Sequence, residues 1–307
     1  MILCCGEALI DMLPRLTSEG EAAFAPHAGG AVFNTAVALG RLGAPAGFFS
    51  GLSTDFLGQT LVAALAAAGV DIRHCVRSDR PTTLAFVRLA DGHASYTFYD
   101  EGTAGRMVSL ADLPDLGDET TALVFGAISL IPEPCGGAYE ALMARERGRR
   151  VVMFDPNIRP GFIKDRASHL ARMRRMLAMA DIVKLSEEDL AWFGEPGDTG
   201  AIARGWLDRG PKLVVVTRGG DGAMAFSRGH AVSVPAKRVA VVDTVGAGDT
   251  VNAGILAALH EAGQLTKPGI AALGEADLVS MLEFAGRAAA VTVGRAGANP
   301  PWRNELV

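Results

Sequence analysis

A chain of 307 residues is long enough for one large domain or two of ordinary size, and with 49% apolar residues it can bury a substantial core. A formal net charge of −5 and the absence of any basic stripe exclude electrostatic binding of nucleic acid. No apolar run reaches the roughly 18 residues of a membrane span. The opening MILCCGEALIDML lacks a basic region and a cleavage site, so the cytoplasm is the expected compartment.

Short apolar runs bounded by Gly or Pro alternate with helical patterns. The expected strands are Met1–Cys5, Gly47–Gly51, Ala122–Phe125, Val151–Phe154, Ile182–Leu185 and Leu213–Thr217. The expected helices between them are Val32–Leu42, Gly58–Ala68, Gly136–Arg147, Ala167–Met179 and Thr199–Asp208. This alternation predicts an α/β fold, a mostly parallel sheet with helices on both faces. Continuously apolar strands fit burial on both sides. Cys4, Cys5, Cys75 and Cys135 have no Cys-x-x-Cys spacing and read as small apolar fillers in a reducing compartment.

Two stretches break the rhythm, about Pro14–Ala28 and Thr82–Glu101. In the second, LAFVRLADGHASYTFYD alternates around Asp91-Gly92, a hairpin signal. Together they predict a small β-sheet lid, residues 12–28 and 82–104, on a single domain spanning 1–307. An antiparallel edge of the main sheet would read the same way. Further on, Val214–Val216, Ala223–Phe226 and Ala231–Val234 suggest a strand and a hairpin. Ala-rich helices follow at about Ala247–Ala262 and Leu273–Val293.

The most specific chemical signal is DTVGAGDTVNAG, Asp243 to Gly254, between an apolar run expected as a strand (Val239–Val242) and a helix. Gly246, Ala247 and Gly248 leave the backbone open to a ligand where the first N–H groups of a helix are unpaired, a geometry that binds anions. Asp249 in the same turn would repel a passively bound phosphate. It makes sense as a base that takes the proton from a hydroxyl attacking phosphorus. No lysine follows a glycine and no Gly-x-Gly-x-x-Gly opens a helix, so Walker A and dinucleotide fingerprints are both missing. A second signal is Gly29-Gly30-Ala31-Val32-Phe33-Asn34, where a polar substrate can lie on bare backbone and Asn34 offers both a donor and an acceptor.

With these motifs the chain resembles, over essentially its whole length, the PfkB-type carbohydrate kinases of ribokinase-like fold. The resemblance rests on DTVGAGDTVNAG and GGAVFNTAVALGRLG and implies ATP, Mg²⁺ and a small sugar as ligands. It implies that Asp11, in GEALIDM, binds sugar hydroxyls with Gly29, Gly30, Asn34 and Asp249. Thr217, Gly219 and Gly222 are similar to the turn near the ATP phosphates. Asp155-Pro156-Asn157-Ile158-Arg159 looks like a fructokinase-branch stretch in which Asn157 lies near nucleotide phosphates and Arg159 meets the transferring group. Ser186-Glu187-Glu188-Asp189 stands where the family has Asn-x-x-Glu, with Ser186 near the nucleotide and Glu188 or Asp189 serving Mg²⁺. Asp243, Val245 and Gly297 resemble a backbone site for a monovalent cation such as K⁺, and Ala289 a wall of the adenine slot.

The resemblance is strongest to fructokinases, since GEALIDM, DPNIRP and Ser186 look fructokinase-like and Ala31 stands where ribokinase carries Lys. D-fructose is therefore the expected substrate. 2-Keto-3-deoxygluconate is the alternative and needs a cation, from Arg88 or Arg106. A non-catalytic sugar-binding regulator would have lost the base or the anion hole, and both are present. The apolar faces of the lid, with the family resemblance, lead to the expectation of a homodimer.

Overall fold

The computed structural model describes residues 1–90 and 93–306, with the side chains of residues 88–96 outside that description. The strands are β1 (Ile2–Cys5), β2 (Leu9–Leu16), β3 (Ala22–Gly29), β4 (Ala46–Phe49), β5 (Gly51–Ser53), β6 (Val76–Ser78), β7 (Leu84–Ala90), β8 (His93–Tyr99), β9 (Ala122–Gly126), β10 (Val151–Asp155), β11 (Ile182–Ser186), β12 (Leu213–Thr217), β13 (Ala223–Phe226) and β14 (Ala231–Val234). The α-helices are α1 (Ala31–Arg41), α2 (Phe56–Ala67), α3 (Cys135–Glu146), α4 (Arg166–Leu177), α5 (Glu187–Trp192), α6 (Thr199–Leu207), α7 (Ala247–Glu261), α8 (Lys267–Ala271) and α9 (Glu275–Val293).

Eight strands form the main sheet in the order β14-β13-β12-β11-β10-β9-β1-β4. It is parallel from β4 to β12 and ends in an antiparallel hairpin, β13–β14. Side chains alternate across a strand, and here both faces are covered. Ile2 and Cys4 join one core with Phe33, Leu256 and Leu282 of α1, α7 and α9. Leu3 and Cys5 join the other with Tyr139, Met173 and Trp206 of α3, α4 and α6. That is why the central strands read as unbroken apolar runs. It also sends the adjacent cysteines to opposite faces, and all four cysteines are free thiols.

The segments that break the rhythm form a separate four-stranded sheet, β3-β2-β7-β8, and not an edge of the main one. Strand β2 begins at Leu9, so Asp11 belongs to this small sheet, opposite His27 and Ala85. The expected Asp91-Gly92 turn lies outside the described residues.

Two expected strands need correction. The run Gly47–Gly51 breaks at Ser50: β5 leaves the main sheet to pair with β6. A Cβ on Gly51 would stand 2.0 Å from the Ala104 carbonyl oxygen, so this crossing needs glycine. The run Val239–Val242 forms no strand. The N–H groups of Val242 and Asp243 instead donate to Val293 O at the end of α9, and Val241 and Val242 remain 64% and 61% exposed. Helix α7 is drawn tightly onto α9, where a Cβ on Gly254 would meet the Ala285 Cα at 2.6 Å. Among the described residues no helix is long and apolar enough to cross a membrane.

Candidate active site

The site gathers where parallel strands end and helices begin, the place where open α/β sheets hold ligands. Gly246 caps α7 with φ 77°, a left-handed conformation suited to glycine. A Cβ there would lie 2.7 Å from the Ala298 Cβ, and one on Gly248 would lie 2.9 Å from Lys184 Nζ. Gly246 must therefore stay bare, and a side chain at Gly248 would displace the Lys184 ammonium. The first helical bond is Thr250 N–H to Gly246 O at 2.9 Å. The N–H groups of Gly248 and Asp249 consequently have no carbonyl within the helix. The Ala247 N–H makes only a long contact with Thr244 O, at 3.3 Å.

Asp249 is buried in this first turn. Its Oδ2 accepts from Asn34 Nδ2 at 2.9 Å, and its main-chain oxygen accepts from Thr35 Oγ1 at 3.3 Å, tying α7 to α1. Desolvation raises its carboxyl from an ordinary 3.8 to about 7, against the lowering effect of the Asn34 bond and the Lys184 charge. The carboxylates of Asp155 and Glu7 add to the rise.

The start of α1 is built on a group that the sequence reading missed. Glu7 Oε1 accepts from the N–H groups of Ala31 and Val32, at 2.8 and 3.3 Å, and Oε2 from Ser129 N–H at 3.3 Å. Its carboxyl is raised by burial, with these bonds opposing. The signal was an acidic residue in the apolar run before Gly29-Gly30. Gly30 has φ 109° and sits on the Glu7 carbonyl, 2.9 Å from where a Cβ would be. Asp11 lies against Gly29, its Oδ2 2.3 Å from a Cβ position there, and burial raises its carboxyl to about 6.

Beyond β10, Asn157 adopts φ 40°, uncommon for a residue other than glycine and best tolerated by Asn or Asp. Its N–H donates to Asp155 Oδ1 at 3.1 Å. Arg159 is exposed and donates to Ile158 O at 3.0 Å. Lys184, also missed from sequence, is buried and bonds Asp155 Oδ2 at 2.9 Å. Ser186 and Asp189 form a capping box on α5. Asp189 Oδ2 accepts from Ser186 N–H and Oγ, and Oδ1 from Ile158 N–H. Asp189 is thus committed to holding the chain, whereas Glu188 is exposed.

At the end of β12, Thr217 Oγ1 donates to Leu185 O at 3.3 Å. The turn that follows uses Gly219 at φ 51° and Gly222 at φ 93°, where a Cβ would strike Val234 O at 2.1 Å. Asp243 accepts from Val245 N–H at 3.0 Å and from Gly297 N–H at 2.9 Å, bringing these three residues together. Ala289 is half-buried on α9. A cleft of about 1100 Å³ runs from Glu7 and Ser129 under the small sheet, past Phe98, Asp100 and Arg106 to Phe162.

The model of the pfkB family carbohydrate kinases matches residues 1–305. This chain belongs to that family. A fructokinase of Rhizobium leguminosarum bv. trifolii is 61% identical over 275 residues, covering 90% of this chain and 84% of the relative. The crystal structure of a Xylella fastidiosa fructokinase with bound ATP superposes with a TM-score of 0.88 at 30% identity, over 99% of this chain and 97% of the other. A Vibrio cholerae fructokinase with fructose, ADP and calcium bound gives 0.83 at 27% identity, over 97% and 94%. The pfkB kinase described here is therefore a carbohydrate kinase of ribokinase-like fold.

Burial of Asp249 has a thermodynamic consequence. Its folded-state value, about 7, lies above the ordinary 3.8, so its contribution to stability is complete below pH 4 and is lost as pH rises through 7. Asp249→Asn, which does not titrate, should be more stable than the parent above pH 7 by about 2–4 kcal/mol, with the gap shrinking at lower pH. Urea denaturation of both proteins at pH 5 and pH 8 measures this. An equal difference at the two values would contradict the burial of an ionisable Asp249.

Proposed function

We propose that this carbohydrate kinase transfers the γ-phosphoryl group of ATP to a hydroxyl of D-fructose, with Asp249 as the general base. The observation that carries the reading is the buried Asp249 carboxylate in the unpaired first turn of α7, held by Asn34. A carboxyl near 7 is matched to accepting a hydroxyl proton at neutral pH. The proton moves to Asp249 as the hydroxyl oxygen attacks phosphorus, and ADP leaves. The N–H groups at Gly246 to Gly248 face the charge that spreads over the phosphoryl oxygens.

Asp11, Gly29, Gly30 and Asn34 hold the sugar in this reading. The Thr217–Gly222 turn, Asn157 and Ser186 flank the nucleotide phosphates, Arg159 closes toward the transferring group, and Ala289 borders adenine. Mg²⁺ on the nucleotide needs only one or two protein carboxylates, and the exposed Glu188 fits that demand better than the committed Asp189. Bound there, it would neutralise phosphate charge. Asp243 aligns Val245 and Gly297 as carbonyl donors for K⁺, although Gly297 O also accepts from Asn299 N–H.

Fructose is favoured over 2-keto-3-deoxygluconate by the relatives' names and by Arg106. Its Nη1 pairs with Asp100 at 3.0 Å, so this cation is already neutralised, while the side chain of Arg88, the other cation considered, lies outside the described residues. The small sheet serves as a lid: Phe98 stacks edge-on against Phe162, 4.4 Å between centroids, just beyond Arg159. Closing it excludes competing water. On the same sheet Phe24, Phe86 and Tyr99 form an aromatic row, with Phe24 and Tyr99 47% and 61% exposed. An apolar row of this kind fits a homodimer, and the compartment proposed is the cytoplasm.

Coupled ADP release over D-fructose, 2-keto-3-deoxygluconate, D-ribose, D-glucose and adenosine should give the highest kcat/KM for fructose and none without Mg²⁺. A higher value for the acid sugar would overturn the fructose assignment. Light scattering at micromolar concentration should give a dimer that Tyr99→Arg weakens; a monomeric parent protein would rule the dimer out.

A further inference from the structure

Beneath the first turn of α7 lies a buried cluster that the reading above leaves without a task. Lys184, in the middle of β11, is 4% exposed, and Asp155, at the end of β10, is also 4% exposed. Their ion pair measures 2.9 Å. Asn252, one turn into α7, donates to the same Asp155 oxygen at 2.7 Å. Two adjacent strands and the catalytic helix are thus joined through a single carboxylate oxygen. The ammonium that completes the cluster rests on the bare backbone of Gly248, 2.9 Å from where a Cβ would stand.

A buried ion pair is weak evidence of stabilisation, because desolvating two charges costs about as much as their attraction returns. Apolar residues would fill the same space with less penalty. The position of this pair suggests a different role. We propose that Lys184, clamped by Asp155, is a positioning residue of the phosphoryl-transfer site. It braces the first turn of α7 against the strand ends and supplies the fixed positive charge that balances the Asp249 carboxylate. The short, compact ammonium is suited to this, since a guanidinium would need room that the Gly248 backbone occupies.

The groups around Asp249 make the charge balance explicit. From α1 comes the neutral Asn34 amide, from the turn after β1 the buried Glu7, from β10 Asp155 and from β11 Lys184. Lys184 is the one cation of this set, set against two other carboxylates. It favours the charged form of Asp249, and Asp155 and Glu7 oppose it. Asp11, raised to about 6 by burial alone, belongs to the small sheet and ionises first.

The inference rests on Asp249 acting as base, and its test separates the two claims. The acidic limb of kcat/KM reports the free enzyme's base. It should lie near pH 7 in the parent enzyme. Lys184→Met should move it upward by about one unit and Asp155→Asn should move it downward, since a nearby charge shifts a carboxyl by that order. Either single change leaves a buried charge unpaired and weakens the fold. If Lys184→Met is insoluble, the upward step is read between Asp155→Asn and the double variant Lys184→Met/Asp155→Asn. Opposite shifts support the assignment. Limbs that stay at the parent position, or move the same way in both variants, overturn it even where turnover falls. An active Asp249→Asn enzyme would instead remove the base.

Discussion

A carboxylate that is to take a proton from a sugar hydroxyl must be shielded from water and still carry its charge at neutral pH. Burial works against the second demand, because desolvation is the largest cause of the rise in the Asp249 carboxyl. The Asn34 amide and the Lys184 charge keep it from rising further. A helix N-terminus favours the anion as well. Much of the surrounding architecture positions these partners: α1 carries Asn34, β11 carries Lys184, and Glu7 fixes the start of α1 through the N–H groups of Ala31 and Val32.

That arrangement needs backbone to approach backbone and side chain at several points. Gly246 rests on Ala298, Gly248 on Lys184, Gly29 on Asp11 and Gly30 on Glu7. At each a methyl group would collide or, at Gly246 and Gly30, strain the backbone as well. The same closeness holds α7 in place, with Gly254 against Ala285 of α9. The two apolar cores on either side of the sheet make the strand ends a rigid base, as a preorganised site requires.

The sequence made part of this legible. Continuous apolar strands and alternating helices follow from burial on both faces, and the glycines before Asn34 and Asp249 mark helix starts within a few residues of the groups they serve. Local patterns of that kind survive without tertiary information. Lys184 and Glu7 did not stand out because each looks like an isolated charge in an apolar run. Their partners lie far along the chain: Asp155 and Gly248 for Lys184, Ala31 and Ser129 for Glu7. Val239–Val242 misled for the opposite reason: its apolar composition matches a strand, but its N–H groups go to the end of α9. Glu188 and Asp189 read alike as metal carboxylates, and the partners that distinguish them are tertiary: the Asp189 oxygens cap α5 and hold Ile158.

The central claim is that a single buried carboxylate accepts the hydroxyl proton. Steady-state turnover of Asp249→Asn with D-fructose and ATP, paired with calorimetric binding of fructose to the same variant, tests it most directly. Loss of the base should lower kcat by roughly 10²–10⁴-fold while fructose affinity stays within a few-fold of the parent. Turnover close to that of the parent enzyme would contradict it.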